Sequence, residues 1–259
     1  MSRIQQSFCY MLFQGDLSLD QLLAEAKRIG YPAVETWDWR NDAFPPFAEA
    51  AHRHGLQIAS VVGHRSLTDG LNRWENHERI ETEIRETIEL CRRHGIPGMI
   101  VFSGNRLEGV SEEAQLEAIV AGLRRVAGVA EAAGVNLNLE LLNSKVNHPG
   151  YLCDRTAFGV EVCNRVGSPN VKLLYDIYHM QIMEGDLIRT IRDHIAYIGH
   201  FHTAGNPGRR DLDEEQEIYY PAVMRAIRES GYSLYVGHEF NPKGDKLAAL
   251  RHAFEVCDV

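Results

Sequence analysis

Four side chains that suit a divalent metal ion stand at the ends of apolar, strand-like segments of this 259-residue chain. They are Glu140 in VNLNLELLN, Asp176 in VKLLYDIYHM, His202 in YIGHFHTAG and Glu239 in LYVGHEFNP. Three carboxylates and one imidazole suit Mn²⁺, Mg²⁺ or Co²⁺ better than they suit a thiolate-bound structural zinc. Taken singly, each residue is better explained as a helix cap, an ion-pair partner or a buried polar group. The set of four, at the same level of consecutive strands, indicates a metal site.

A metal ion flanked by two carboxylates points to proton transfer next to a carbonyl group. Moving a carbonyl to the adjacent carbon requires loss of a C–H proton and its return to the neighbouring carbon, through an enediolate. A divalent cation that holds both substrate oxygens stabilises the developing charge, while one carboxylate abstracts the proton and the other serves as its conjugate partner. The cation also offsets the repulsion between the two carboxylates.

The elements that position these side chains are marked by a repeated junction, in which an amphipathic segment ends in glycine and an apolar, β-branched run follows. The junction occurs six times, at Gly30, Gly55, Gly95, Gly134, Gly167 and Gly231. Glycine is favoured there because helices commonly end on a residue in the left-handed conformation. Two further strands are predicted, at IQQSFCYML and at AYIGHFH. Ser18 and Gln21 predict a capping box that opens the first helix.

Eight strands alternating with eight helices, without a linker or a break in composition, predict a single domain over residues 1–259. The candidate architectures are a closed (β/α)8 TIM barrel and a doubly wound open sheet. The loop after the first strand reads FQGDLSLD, which lacks the glycine fingerprint of a doubly wound nucleotide binder. We therefore expect the α/β class and a single TIM barrel, whose reactive groups gather at the carboxyl ends of the strands.

Composition restricts the partners and the compartment. Lys and Arg total 27 against 36 Asp and Glu, giving a formal net charge of -9, so nucleic acid is not an expected partner. Five cysteines, an odd number without CxxC spacing, predict reduced thiols and a cytoplasmic protein. The sequence shows no signal peptide and no run of about 18 apolar residues, so neither secretion nor membrane association is expected. Assembly as a homo-oligomer stays open.

Four stretches that carry these residues resemble the xylose-isomerase-like TIM barrel superfamily, and most closely its hydroxypyruvate isomerase family. They read LELLNSKVNHPGY, LLYDIYHMQIMEGD, GHFHTAGNPGR and GHEFNPKGD. The resemblance spans nearly the whole chain. It implies that Glu140 and Glu239 bind the metal and act as the acid/base pair. It also implies that Asp176 and His202 complete the set of metal ligands.

The same resemblance implies two substrate contacts, by similarity to the more distantly related ketose 3-epimerases. His179, three residues after Asp176, matches their substrate histidine, and Arg209 falls within one residue of their substrate arginine. The NPGRRD loop that contains Arg209 is also a candidate phosphate site, since TIM barrels often bind phosphate near strands seven and eight. Its arginines are equally well explained as surface charges.

Four further side chains on the loops at the strand ends are candidate substrate contacts. Trp37 shares a face with Glu35 and is interpreted either as a wall of the substrate pocket or as core packing. His64 is interpreted either as a substrate contact or as a partner in a loop hydrogen bond. Lys145 and His148 lie on the loop after Glu140, where we expect a carboxylate, aldehyde or hydroxyl group of the substrate to bind.

The predicted function is a metal-dependent isomerase that interconverts a small hydroxy-aldehyde and a hydroxy-ketone, such as tartronate semialdehyde and hydroxypyruvate or a short sugar. The alternative is a ketose 3-epimerase, which uses the same groups but returns the proton to the same carbon from the opposite face. An endonuclease-IV-like DNA repair enzyme would require a basic surface. A non-catalytic sugar-binding barrel would not require two carboxylates beside one metal.

Overall fold

A computed structural model describes residues 4–259. Its strands are β1 (Gln5–Phe8), β2 (Ala33–Val34), β3 (Gln57–Ile58), β4 (Val61–Val62), β5 (Gly98–Val101), β6 (Asn136–Glu140), β7 (Val171–Asp176), β8 (Ile198–Thr203) and β9 (Tyr235–His238). Its helices are α1 (Tyr10–Phe13), α2 (Leu19–Ile29), α3 (Phe44–Arg53), α4 (His77–His94), α5 (Glu112–Ala133), α6 (Thr156–Val166), α7 (Ile177–Met183), α8 (Leu187–His194), α9 (Tyr220–Glu229) and α10 (Lys246–Cys257).

The order of the strands identifies the architecture. One sheet runs β1-β9-β8-β7-β6-β5-β4, and β2 pairs with β3. The last strand, β9, pairs in parallel with the first, β1, with Phe8 opposite His238. A parallel bridge between Cys9 and Glu35 continues from β1 towards β2. Neighbouring strands thus follow chain order, and the first strand pairs with the last, as in a TIM barrel rather than a doubly wound sheet. The predicted fold class is confirmed.

The structure differs from the predicted eightfold alternation in three places. The predicted third strand is divided into β3 and β4 at Ala59–Ser60, because β3 pairs with β2 whereas β4 is the sheet neighbour of β5. Two helices, α7 and α8, stand between β7 and β8, and the short α1 precedes α2. These additions leave the order of the ligand-bearing strands unchanged.

Helix ends follow the sequence signals. The Ser18 side chain accepts a hydrogen bond from the Gln21 backbone, and the Gln21 side chain accepts one from the Ser18 backbone, so the predicted capping box is present. All six junction glycines have positive φ, from 66° at Gly55 to 124° at Gly30. Each helix therefore stops where the next strand must begin. No helix within residues 4–259 combines the length and apolar character that crossing a membrane requires.

The chain forms two compact units. The first comprises the described residues up to Val61, together with Asp186–Ile195 and Phe201–Val259. Its core contains edge-to-face aromatic pairs, with ring centroids 5.2 Å apart for Phe8 and Tyr31 and 4.9 Å apart for Tyr31 and Phe254. The Tyr31 hydroxyl donates to the carbonyl of Leu250 at 2.9 Å, which ties α10 to this core. The core supports β1, β2 and β9. Glu35 directly follows β2, and Glu239 directly follows β9.

The second unit comprises Val62–Gly185 and Ala196–His200. Its strands β5, β6 and β7 pair in parallel, with Leu139 of β6 opposite Leu173 of β7. Buried Tyr151 links two strand ends, because its hydroxyl accepts from the Ser103 backbone and donates to the Glu140 carbonyl, each at 3.1 Å. This bridge fixes the main chain at Glu140.

Candidate active site and metal centre

The structure brings together the four residues predicted as metal ligands. One ligand atom from each of Glu140, Asp176, His202 and Glu239 lies within 4.8 Å of the others. All four residues are buried, with an exposed fraction of at most 8%. Burying three carboxylates together is unfavourable unless a cation balances their charge. The donor set therefore fits a divalent cation that accepts oxygen and imidazole ligands.

Asp176 is at once the last residue of β7 and the N-cap of α7. Its Oδ1 accepts the backbone N–H of His179 at 3.0 Å. The helix-cap interpretation and the ligand interpretation are therefore compatible, because the cap contact involves one carboxylate oxygen. The cap also fixes where α7 begins, and so places His179 one turn beyond the strand end.

His179 is held in one tautomer by the backbone. Its Nδ1 accepts the backbone N–H of Asn143 at 3.1 Å. Because a backbone amide can only donate, Nδ1 must carry the lone pair, and the ring proton of the neutral side chain lies on Nε2. Nε2 lies 3.8 Å from Oδ2 of Asp176. The side chain is fully buried. It thus offers an N–H donor near a candidate metal ligand.

His202 on β8 lies between two carboxylates of the first unit. Its Nδ1 is 3.0 Å from Oε2 of Glu239, and its Nε2 is 3.1 Å from Oε2 of Glu35. Burial acts to lower the pKa of His202, but the charges of Glu239 and Glu35 outweigh it and raise the pKa well above the ordinary value. The two carboxylates therefore stabilise positive charge on the imidazole.

Glu239 receives two donors besides its contact with His202. The indole Nε1 of Trp37 donates to Oε1 of Glu239 at 3.0 Å. The guanidinium of Arg209 forms an ion pair with Oε2. Arg209 has a left-handed backbone, with φ of 55°, which is uncommon for a residue with a side chain. Both predicted substrate contacts from the first unit thus lie against a candidate acid/base carboxylate.

The other predicted substrate contacts occupy varied surroundings. His64 is fully buried, and its Nε2 accepts the backbone N–H of Phe102 at 2.9 Å, which is the loop hydrogen bond of the two predicted options. Lys145 is exposed, and its ammonium donates to the carbonyls of Ile182 and Met183 at the end of α7. The ring of His148 lies 5.3 Å from that of His179.

The NPGRRD loop turns its first arginine inward. Arg209 faces Glu239, whereas Arg210 is exposed and reaches the Pro242 carbonyl at 3.5 Å. The loop is held in place by its main chain, since the Asn241 N–H donates to the Arg209 carbonyl at 2.9 Å. The two arginines, adjacent in sequence, therefore have different environments.

Sequence reasoning did not predict the contacts of Glu35. It placed Glu35 at the end of the second strand, on the face of Trp37, and gave it no part in the site, yet the residue is 1% exposed and its carboxylate contacts His202. The available signal was an acidic residue inside the apolar run YPAVETW. A buried carboxylate needs a partner, but the partner stands 167 positions away in the chain.

Comparison with known proteins adds a family match. A family model described as "Xylose isomerase-like TIM barrel" matches residues 23–258. A protein of Xenopus laevis, provisionally named hydroxypyruvate isomerase, is 32% identical over 238 residues, covering 87% of this chain and 85% of the relative. The 2-oxo-tetronate isomerase of Pectobacterium atrosepticum is 29% identical over 245 residues, covering 90% of each chain.

Solved structures agree on the fold. An AP endonuclease, family 2, from Brucella melitensis superposes with a TM-score of 0.84 at 24% identity, covering 96% of this chain and 97% of the other. L-ribulose 3-epimerase superposes with a TM-score of 0.79 at 24% identity, covering 98% of this chain and 92% of the other. At these identities the similarity shows the architecture alone.

Proposed function

The chain belongs to the xylose isomerase-like TIM barrel family, and we propose that it is a metal-dependent isomerase that interconverts a small hydroxy-aldehyde and a hydroxy-ketone. The observation that carries the proposal is the buried cluster of Glu140, Asp176, His202 and Glu239. The cluster contains two glutamates, so the same group of side chains can both hold a cation and move a proton.

The substrate class is supported by the names of the relatives. Proteins named hydroxypyruvate isomerase and 2-oxo-tetronate isomerase match most of this chain. Both names refer to small carboxylated hydroxy-carbonyl compounds. We infer that this protein acts on a compound of that kind, with hydroxypyruvate and tartronate semialdehyde as the first pair to test. The net charge of -9 disfavours the alternative activity on DNA.

We assign the cation to Glu140, Asp176, His202 and Glu239. When bound, Mn²⁺, Mg²⁺ or Co²⁺ supplies positive charge that stabilises negative charge developing on the substrate oxygens. The protein supplies the proton transfer, in which one of Glu140 and Glu239 accepts the C–H proton and the other acts as its conjugate partner.

The contacts of Glu239 suit such a role. Trp37 and Arg209 donate to its two oxygens, so the carboxylate is oriented before substrate arrives. In our proposal Trp37 also walls the pocket and Arg209 also contacts substrate.

His179 contributes a fixed hydrogen-bond donor. Its Nδ1 is occupied by the Asn143 N–H, so the Nε2–H is the group that can meet a substrate oxygen. A neutral donor stabilises negative charge on that oxygen without competing as a base. We therefore assign His179 to binding the substrate carbonyl or hydroxyl oxygen and not to proton abstraction.

The decisive experiment is proton NMR in D₂O with metal-depleted and Mn²⁺-loaded protein, over hydroxypyruvate, tartronate semialdehyde, tetruloses and ketohexoses. We expect the loaded protein to exchange the substrate C–H with solvent and to form the aldehyde–ketone pair. Glu140→Gln and Glu239→Gln should retain the fold but lose about 10²–10⁴-fold in turnover. Glu112→Gln, which alters a surface carboxylate 42% exposed, is the control and should keep full activity.

Each other outcome contradicts a defined part of the proposal. A product inverted at one carbon, without aldehyde–ketone conversion, identifies a ketose 3-epimerase instead. Full activity in protein rigorously freed of metal removes the metal requirement. Wild-type exchange and turnover in a metal-loaded glutamate variant removes that glutamate's catalytic role.

A further inference from the structure

We propose that Glu35 is a positioning residue that holds the His202 imidazole in the tautomer and orientation needed for metal binding. The inference rests on the metal site of the proposed function. Glu35 is not one of the four metal ligands, and its carboxylate acts through His202. Its effect is therefore expected first on metal affinity and only through that on turnover.

The contact between the two side chains decides which ring nitrogen keeps its proton when a cation binds the other. Oε2 of Glu35 lies 3.1 Å from Nε2 of His202, and both side chains are buried. A carboxylate accepts hydrogen bonds and does not donate them, so Nε2 carries the proton in this contact. When a cation takes the place of the second ring proton, the lone pair that binds it lies on Nδ1, which is 3.0 Å from Oε2 of Glu239. Nδ1 is thus the atom available to a cation.

Glu35 is itself fixed at both its main chain and its carboxylate. Its backbone N–H donates to the Phe8 carbonyl at 2.8 Å, and its carbonyl accepts from the Tyr10 N–H at 2.9 Å. The Ser7 hydroxyl donates to Oε1. A carboxylate held this firmly can select one orientation of the ring that it contacts.

The neighbouring strand leaves room for this carboxylate. Gly237 on β9 has no side chain, and a Cβ placed there would overlap Oε1 of Glu35 and come within 3.0 Å of Cδ2 of His202. The absence of a side chain at Gly237 is therefore needed for Glu35 and His202 to meet in this geometry.

A second interpretation makes Glu35 a metal ligand in its own right. Ligand atoms of Cys9, Glu35 and His202 also lie within 4.8 Å of one another. A cation there would displace the proton from Nε2 of His202 and that of the Cys9 thiol, whose Sγ lies 4.0 Å from Oε2 of Glu35. Burial, together with the charges of Glu35 and Glu239, raises the pKa of this thiol and opposes its ionisation. The hydrogen-bond contact between Nε2 of His202 and Oε2 of Glu35, at 3.1 Å, favours the positioning role.

The test compares Mn²⁺ affinity by calorimetry in wild type, Glu35→Ala, Glu35→Gln and Cys9→Ala. We expect Glu35→Ala to bind about 10–100-fold more weakly, the loss typical of a partner that orients a ligand. Glu35→Gln keeps an oxygen that can accept from Nε2, so it should retain most of the affinity. Cys9→Ala removes the thiol of the alternative cluster but keeps both partners of the proposed contact, so it should bind like wild type.

Nitrogen-15 NMR of the Mg²⁺-loaded protein gives a readout that packing alone would not move. We expect the His202 proton on Nε2 in wild type and a mixture of tautomers in Glu35→Ala. Unchanged Mn²⁺ affinity and an unchanged tautomer in Glu35→Ala would overturn the positioning role. A second bound ion that disappears in Cys9→Ala would overturn it in favour of a ligand role. Wild-type protein that binds no Mn²⁺ would instead overturn the proposed function, together with this inference.

Discussion

The backbone N–H of Asn143 donates to Nδ1 of His179 at 3.1 Å, across 36 positions of the chain. Asn143 follows β6 and His179 lies in α7. A main-chain donor cannot reverse its role, so this contact excludes a proton on Nδ1. His179 is thereby fixed as a neutral side chain whose only donor is Nε2–H.

His179→Asn and His179→Gln test the roles of the two ring nitrogens separately. Asparagine can place an oxygen near the position of Nδ1 and keep the Asn143 contact, whereas glutamine can place an N–H near the position of Nε2. We expect His179→Asn to fold normally and lose about 10–100-fold in kcat/KM. We expect His179→Gln to keep more activity. Its free energy of unfolding should be about 1–3 kcal/mol lower than that of wild type, because the Asn143 N–H loses its acceptor. The reverse ranking in activity would contradict the donor role.

Asp176→Asn separates the cap from the ligand. Asparagine is a good N-cap, so the His179 N–H keeps its acceptor while one negative charge is lost from the cluster. We expect Mn²⁺ affinity to fall by at least about tenfold. Thermal stability of the metal-free protein should stay the same or rise, because fewer buried carboxylates repel one another.

In Asp176→Ala the cap is lost too, which costs about 1 kcal/mol of stability. Equal Mn²⁺ affinity in Asp176→Asn and wild type would remove Asp176 from the ligand set.

Trp37→Phe removes the donor to Glu239 and keeps an aromatic ring. A hydrogen bond to a charged group contributes about 1.5–3 kcal/mol, so we expect kcat/KM to fall by about tenfold or more. Trp74→Phe is the matched control, since Trp74 is 60% exposed and stands at the start of a 3-10 helix. Steady-state kinetics on both variants, at saturating Mn²⁺, makes the comparison. Equal losses in the two variants would show that the Glu239 contact is unimportant.

His238 predicts an acid dependence of stability. Its Nε2 is 3.0 Å from the Gln6 side-chain oxygen and its Nδ1 is 2.8 Å from the Thr203 hydroxyl. Burial lowers the pKa of His238 from 6.5 to about 3. Below pH 6.5 the unfolded chain binds a proton that the folded protein does not. Stability is therefore complete above that pH and falls on acidification, by about 1.4 kcal/mol per pH unit.

Urea unfolding of metal-free protein between pH 7.5 and 5 measures this effect. His238→Gln should be less stable than wild type at pH 7.5, because a buried network is disturbed. Its free energy of unfolding should fall less steeply as the pH is lowered, because unfolding takes up about one proton fewer than in wild type. Parallel pH profiles for the two proteins would show that His238 is not the group responsible.

The sequence predicted which side chains the structure places in the carboxylate–histidine cluster, because two kinds of signal agree. Glycine-terminated helices located the strands, and the carboxyl ends of barrel strands converge, so Asp176 and Glu239 could be placed at one level from local signals. The capping box at Ser18 was predicted on the same local basis, since its partners are three residues apart.

The contacts around the cluster depend on non-local geometry. Trp37 and Glu239 are 202 positions apart, and no short pattern indicates that an indole N–H meets that carboxylate. His64 ends an apolar segment much as His202 does, yet its Nε2 accepts from the main chain of Phe102. Tautomers and hydrogen-bond partners follow from the exact approach of strands, which residue types and spacing leave undetermined.

The bare main chain at Gly237 makes three positions of the barrel interdependent. The Glu35 carboxylate and the edge of the His202 ring occupy the space where a side chain at Gly237 would lie. Gly237→Ala should therefore be poorly tolerated beside Glu35 but much better tolerated in a Glu35→Ala background, a strongly non-additive pair. A chimera that takes β9 from a relative with a larger residue at this position would have to take β2 from the same parent. For anyone redesigning the pocket, these strands form one exchangeable block although they lie at opposite ends of the chain.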